Sequence, residues 1–402
     1  MLKIFRGHKL MSDLKNTLLN DPLTPLSDVK VIDLSRLVSG NMLTHVLADM
    51  GAQVIKVEPP NKGDELRSWQ REGVSTYWMA YSRNKDSVCL DLRNSVDLEK
   101  LKTLLKDAHI LVENFRPGTL EKMGLDNASL AKINPKIIVI RISGWGQSGI
   151  FSNRGGFGSL IEAMSGFASM NGFEDRPPVL PPFAMADSVA GIYGASVALA
   201  LLHHQKLDNK PSVKEVDLSL FEPLFSILGP QAAEYQLTGN VTPRSGSRSP
   251  THAPRNVYRT KDGRWIALSA GMAGALVRLF EGIGYPEGIQ DERFSSHESR
   301  LKNIDALDDL IQGHITKLSM QEALIFFKER DITAGPVFDI ADLIDHPYIV
   351  ERGMLVETET PQGASILIHS VPYMINGVRP KIRRKAPFLG EDNDKWLAKE
   401  SG

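Results

Sequence analysis

VKVIDLSRLVSGNMLTHVLADMGAQVIKVE, residues 29–58, holds the pattern that decides the fold. VKVIDL and QVIKVE are apolar almost throughout, as strands covered on both faces are, and NMLTHVLADM between them carries helical spacing. The pattern recurs beyond an irregular segment, where SVCLDL, HILVEN and KIIVIRIS read as three more strands. Between the first two of these, Asn94 or Ser95 can cap a helix whose Leu98, Leu101, Leu104, Leu105 and Ala108 share one face. Asp97 and Glu99 in its first turn favour the helix dipole. Apolar strands separated by helices predict a parallel sheet covered on both sides, so the fold class expected is α/β with a Rossmann-like large domain.

A chain of 402 residues exceeds what one hydrophobic core serves, and 42% hydrophobic content is ample for folding, so a second domain is expected. Composition shifts near Thr238, where TGNVTPRSGSRSPTHAPRN gathers glycine, proline, serine and arginine without apolar periodicity. NVYRT and RWIALSA around Lys261, Asp262 and Gly263 then read as a hairpin, followed by the helices AGALVRLFEGIG, IDALDDLIQGHI and QEALIFFKER. The organisation predicted is an N-terminal extension at 1–27, a large domain at 28–237, a linker or working loop at 238–254, a smaller α+β domain at 255–334, and a return to the large domain at 335–402. The 47 basic and 48 acidic residues nearly cancel and form no long basic block, which argues against nucleic-acid and membrane-surface partners. The single cysteine, Cys89, lies in a strand and reads as packing, and it suits a reducing cytoplasm. The basic N-terminus MLKIFRGHKL lacks an apolar signal core, and a mitochondrial transit peptide is the alternative to a cytoplasmic location.

PPVLPPFAMADSVAGIYGASVALALL, residues 177–202, has one formally charged side chain, Asp187, where a proline-rich loop gives way to an apolar helix. Apolar positions surround this helix, which predicts burial. Desolvation raises the pKa of such a carboxylate and strips its water, while helix N-terminal amides favour its ionised form. That combination suits a nucleophile. On the residues alone an N-cap role for Asp187 or Ser188 is favoured over a nucleophile, and Phe183 to Leu202 is about long enough to span a bilayer. The prolines, the aspartate and the pair Gly191 and Gly194 favour a core helix instead.

Gly144, Gly146 and Gly149 in SGWGQSG match the dinucleotide fingerprint, but IFSNRGG follows as a loop where that motif needs a helix. No histidines or cysteines have metal spacing and no GxSxG elbow occurs, so no metal is expected and a carboxylate is the remaining covalent candidate. In VENFRPGTLEKMG, Asn114, Phe115 and Arg116 follow a strand and Lys122 comes one turn into the next helix. Open α/β sheets bind ligands there, with an aromatic face for a base and cations for phosphates; ordinary strand-to-helix punctuation reads the same way.

Together these segments resemble the class III CoA-transferase family, also called CaiB/BaiF, from about Pro25 to Leu397. The landmarks are PLSDVKVIDLSRLVSG, LADMGAQVIKVEPPNKGDELR, RNKDSVCLDL, VENFRPGTLEKMG, ISGWGQSG, PPFAMADSVAGIYGA, YRTKDGRWIALSA, ITAGPVFDIADLIDHP and APFLGED. The resemblance implies that Asp187 is the nucleophile, forming an aspartyl mixed anhydride and then an aspartyl-CoA thioester. It implies CoA and acyl-CoA as substrates, with no tightly bound cofactor, held near Lys85, Asn114, Phe115, Thr119, Lys122 and Met123, with Arg67 and Arg116 as further basic candidates. Trp145 would approach the acyl region, and the chain would form an intertwined homodimer. LVSGN replaces the LAGP found in many members, which places Val38, Ser39 and Asn41 among the residues bearing on acyl selectivity. A glycine-rich loop known in formyl-CoA transferase is missing, and Gly239 to His252 is the candidate replacement as an active-site cover.

Two other functions compete with this one. An α-methylacyl-CoA racemase needs a histidine where RGGFGSL places Phe157, which cannot shuttle a proton. A non-catalytic CoA-binding protein would have no use for Asp187. Arg36, Arg154 and Arg244 are candidates to clamp a second carboxylate, which makes a small dicarboxylate such as succinate the expected acyl group.

Overall fold

The structure, a computed structural model, describes residues 23–207 and 210–398. Most of the expected N-terminal extension, including any transit peptide within 1–22, lies outside the described residues. Six strands form one sheet: β1 (Lys30–Asp33), β2 (Gln53–Glu58), β3 (Lys85–Cys89), β4 (Ile110–Glu113), β5 (Ile138–Ser143) and β6 (Lys214–Ser219). All neighbours pair parallel, in the order β3-β2-β1-β4-β5-β6. That is the Rossmann order, in which the strand order reverses between β1 and β4 and leaves a crevice beyond their carboxyl ends. β6 was not anticipated from the sequence: KEVDLS alternates charged with apolar residues, the habit of an edge strand with one face toward solvent.

Strand alternation divides the apolar residues between two cores. Val31, Val54, Ile110 and Ile138 face one layer, and Ile32, Ile55, Leu111 and Val139 the other. Four helices matter for the site: α1 (Leu37–Asp49), α2 (Ser95–Leu105), α3 (Gly158–Met164) and α4 (Met185–Leu207). Asn94 caps α2 through Val96 N–H at 2.8 Å, and Leu101, Leu104 and Leu105 enter the second core as expected. α1 and α4 cover the first. They approach closely because a Cβ on Gly191 would stand 2.7 Å from that of Met42, and one on Gly194 2.5 Å from Leu43 Cδ1.

The expectation that α4 is buried on every side needs correction. Its small residues Ala186, Ala190, Gly191, Gly194, Ala195 and Ala198 are buried, whereas Ile192 and Tyr193 on the opposite face are exposed. Among the described residues α4 is the one helix long and apolar enough to cross a membrane, and its small face packs in the core of this domain.

The chain divides into two compact units. Of the described residues, the larger takes those up to Ser165, those within Pro181–Gly229 and those from Tyr348 on; the smaller takes Gly166–Leu180 and Pro230–Pro347. The small unit is therefore wider than 255–334, and it recruits a distant segment. Gly246 donates its N–H to Gly172 O at 2.8 Å and packs so tightly on Phe173 that a Cβ would lie 2.4 Å from the ring. Its sheet joins the expected hairpin, β7 (Arg255–Arg259) and β8 (Trp265–Ser269), to β9 (Ala334–Pro336), which straddles the expected boundary. In the large unit β10 (Leu355–Glu359) pairs with β11 (Ser365–His369), and the chain end covers the β3 edge, where Asp392 accepts from Ser87 N–H at 2.9 Å. Cys89 on that edge is only half-buried.

A buried ionic network ties β1, β2, β3 and α1 together. Asp33 receives Lys56 at 3.3 Å and Lys85 at 3.4 Å, and Lys56 also reaches Asp64 at 3.0 Å. Lys85 completes its shell with Thr44 Oγ1 at 2.8 Å and Asn41 Oδ1 at 3.1 Å. Removing one partner from such a group strands the others in low dielectric. Asp33→Asn should therefore lower unfolding free energy by about 3–5 kcal/mol, read as a drop in urea midpoint at unchanged slope.

Candidate active site

Asp187 lies in the first turn of α4, two residues past its start at Met185, so it is not the helix cap. Ser188 Oγ donates back to Ala184 O at 2.8 Å. Ser39, in the first turn of α1, turns its hydroxyl and backbone N–H toward the Asp187 carboxylate, and Asp187's own N–H also faces it. The carboxylate thus sits where two helix N-termini converge, an arrangement that favours an anion. Burial opposes this and is the larger influence, reinforced by buried Glu162, whose Oε1 accepts from Ala186 N–H at 3.1 Å. The outcome is a carboxyl pushed up to about 6. At neutral pH it is still about nine-tenths ionised, but more basic than an ordinary aspartate.

Close approach to Asp187 depends on glycine. A Cβ at Gly158 would stand 2.3 Å from Asp187 Oδ2. Gly144 and Gly156 cross with so little room that a Cβ on either would lie 2.6 Å from the other's Cα. Trp145 Nε1 donates to Gly155 O at 3.2 Å and holds this loop. Gly146, with φ 89°, lets the SGWGQSG turn come down on Asp217, which accepts from Gln147 N–H at 2.8 Å. Turns follow the motif, not a phosphate-binding helix.

One cavity of about 600 Å³ lies at the carboxyl ends of β1, β4, β5 and β6. Asp187, Asn114, Phe115, Arg116, Thr119 and Phe157 all line it, as do Arg36, Arg154, Ser39 and the backbone of Gly144, Gly155 and Gly156. Asn114 also bridges the two strand-end loops: its Oδ1 accepts from Arg36 N–H at 2.8 Å and its Nδ2 donates to Arg36 O at 2.6 Å.

Other residues expected at the site are placed elsewhere. Lys85 is fully buried among Asp33, Asn41 and Thr44, and burial pulls its ammonium down to about 8, so it is not available to a phosphate. Arg67 donates to both oxygens of Glu58, at 2.7 and 2.8 Å, and stacks 3.7 Å over Trp78. Val38 packs against Leu66 and Trp78 instead of facing the cavity. Trp145 stands behind the wall, and Met123 packs on the second core, while Lys122 is exposed at the end of the helix Thr119–Lys122. Arg244 and the Gly239 to His252 segment belong to the small unit, where Arg244 donates to the carbonyls of Phe173, Glu174 and Arg176. Sequence reasoning overlooked Glu162 and Gly158. Glu162, the one acid in the helix GSLIEAM, carried a signal comparable to that of Asp187.

A family model described as CoA-transferase family III matches residues 26–393. The chain belongs to CoA-transferase family III. This transferase is 35% identical to succinyl-CoA–D-citramalate CoA-transferase of Chloroflexus aurantiacus, across 92% of its own length and 93% of that protein. It is 31% identical to succinate–glutarate CoA-transferase of Agrobacterium fabrum, across 93% and 95%. A crystal structure of a CaiB/BaiF family protein from Brucella suis matches with a TM-score of 0.81 at 31% identity, covering 93% of this chain and 99% of that one. The enzyme is accordingly a class III CoA-transferase, which takes CoA thioesters as substrates and transfers CoA to a carboxylic acid. Phe157, where a racemase would need its histidine, is exposed and has no proton to exchange.

Gly158→Ala should displace the Asp187 carboxylate and reduce kcat by at least about tenfold with little change in thermal midpoint, measured by steady-state transfer and calorimetry. Because the folded pKa of Asp187 is raised from 3.8 to about 6, its contribution to stability is fully present below pH 4 and is lost as pH rises through 6. Asp187→Asn should thus be more stable than wild type at pH 7 by on the order of 2 kcal/mol, with the difference gone near pH 4 in urea titrations.

Proposed function

We propose that this transferase moves CoA from succinyl-CoA, or a closely similar acyl-CoA, to a small carboxylic acid through covalent intermediates on Asp187. The observation that carries the reading is a basic, partly desolvated carboxylate with a glycine-cleared approach, at the wall of the one cavity that also holds Phe115, Arg116 and Thr119. The names of the relatives support a succinyl donor.

Asp187 attacks the thioester carbonyl and expels CoA thiolate, leaving an aspartyl–acyl anhydride. The thiolate attacks the aspartyl carbonyl of that anhydride, releasing the donor acid and leaving an aspartyl-CoA thioester. The acceptor carboxylate attacks this thioester, expelling the thiolate and forming a second anhydride. Thiolate attack on its acyl carbonyl gives the new acyl-CoA and regenerates Asp187. Each step exchanges one activated acyl bond for another, so the energy of the thioester is retained and water must stay out. Gly144, Gly155 and Gly156 present backbone without side chains to the cavity, which lets amide donors come close to a developing oxyanion. CoA lies along the β4 end in this reading, its base against Phe115 and its phosphates near Arg116 and Thr119.

The working form is an intertwined homodimer in this reading. Ile192 and Tyr193 on α4 are 52% and 42% exposed, and Phe225 and Ile227 of the same unit 49% and 50%, a set of large apolar side chains that a second chain would cover. Ile192→Asp combined with Tyr193→Asp should give a monomer by light scattering.

Mass spectrometry tests the chemistry. Purified enzyme with succinyl-CoA and a panel of acids should yield new acyl-CoAs, and Asp187→Ala should abolish them. Added hydroxylamine should inactivate the enzyme by converting Asp187 to a hydroxamate, but only when acyl-CoA is present; transfer that survives in Asp187→Ala would sink the proposal. Since only the ionised carboxylate attacks, kcat/KM should fall about tenfold per pH unit below pH 6.

A further inference from the structure

Three arginines qualify from the sequence as clamps for a second carboxylate, and the structure distinguishes them by how their charge is already satisfied. Arg36 donates from Nε to Glu65 Oε2 at 2.8 Å, so its charge is compensated. Arg244 spends its guanidinium on three backbone carbonyls of the small unit. Arg154 lines the Asp187 cavity, and among the described residues no carboxylate pairs with it.

Its plane is held without consuming its donors. The guanidinium lies 4.1 Å over the Phe151 ring, Phe151 meets Trp145 edge-on at 5.3 Å, and Trp145 bonds Gly155 O. Stacking engages the face of a guanidinium and leaves its N–H edge free for a bidentate carboxylate. Arg116 is the other cation on the wall with no carboxylate partner among the described residues, but it follows β4 beside Phe115, on the segment that would hold CoA. Arg154 belongs to the loop that runs directly into Gly158, the residue against Asp187. Four residues of chain span at most about 14 Å, and Arg154 and Asp187 line the same cavity.

We propose that Arg154 binds the distal carboxylate of an acyl group held at Asp187, and thereby selects dicarboxylic over monocarboxylic donors and acceptors. This rests on Asp187 being the point of acyl attachment. A guanidinium placed to receive a carboxylate is left unpaired by an alkyl chain, which is why a site built around a polar contact discriminates far better than an apolar pocket of the same size.

The test compares succinyl-CoA with butyryl-CoA, a chain of the same length without the second carboxylate, in full-length wild type, Arg154→Gln, Arg154→Lys and Asp187→Ala. Arg154→Gln should lower kcat/KM for succinyl-CoA by roughly 30–300-fold and raise the inhibition constant of free succinate by a similar factor, while any butyryl-CoA turnover changes less than threefold. Arg154→Lys should recover part of the loss. Equal losses on both donors, or an unchanged succinate inhibition constant, would overturn the role of Arg154 and leave the Asp187 reading standing. Transfer retained in Asp187→Ala would instead remove the premise, whatever Arg154 does.

Discussion

The site depends on two lysines held inside the protein. Lys56 and Lys85 are fully buried at adjacent strands, and Asp33 at the end of β1 stands between them. Burying two ammonium groups is costly unless each finds several oxygens, and the chain supplies them from the turn that starts α1. Lys56 donates to Ser35 O, Asp64 accepts from Leu37 N–H at 3.1 Å, and Asn41 bonds both Asp64 and Lys85. Leu37 is thereby held in a left-handed conformation, φ 61°, that a leucine rarely adopts. The same turn carries Ser39 to Asp187. Strain at Leu37 and the position of Ser39 are thus both consequences of neutralising charge one layer below.

Above that layer the Asp187 carboxylate is held in a balance of opposing influences. Two helix N-termini and Ser39 favour the anion, whereas burial and Glu162 disfavour it, and the second pair prevails. A pKa near 6 leaves Asp187 ionised at neutral pH while keeping it basic, and Gly158 lets the backbone pack close against its carboxylate. Polar anchoring below and small residues above make the wall rigid on one side and open on the other.

Much of this was legible in the sequence. Five apolar strands, the capped helix α2 and the isolated charge at Asp187 follow from periodicity and composition, because those signals are local. The edge strand β6 was missed because an edge strand need be apolar on only one face. Lys85 and Arg67 were misplaced for a related reason: a cation near a strand end reads identically whether it meets a phosphate or a buried carboxylate. Only the partner decides, and Asp33 lies 52 residues from Lys85 in the chain.

The sequence by itself determined the α/β class, the isolated charge of Asp187 in its apolar surroundings and the strand-end loop that lines the same cavity, since each is written within a short window. The tertiary structure alone decided which charges are free. Arg36, Arg154 and Arg244 look equivalent as residues, but pairing with Glu65, stacking on Phe151 and bonding to carbonyls make them three different groups. Side-chain charge is local information; its neutralisation is a property of contacts between segments far apart in the chain, and so it exists only once the chain has folded.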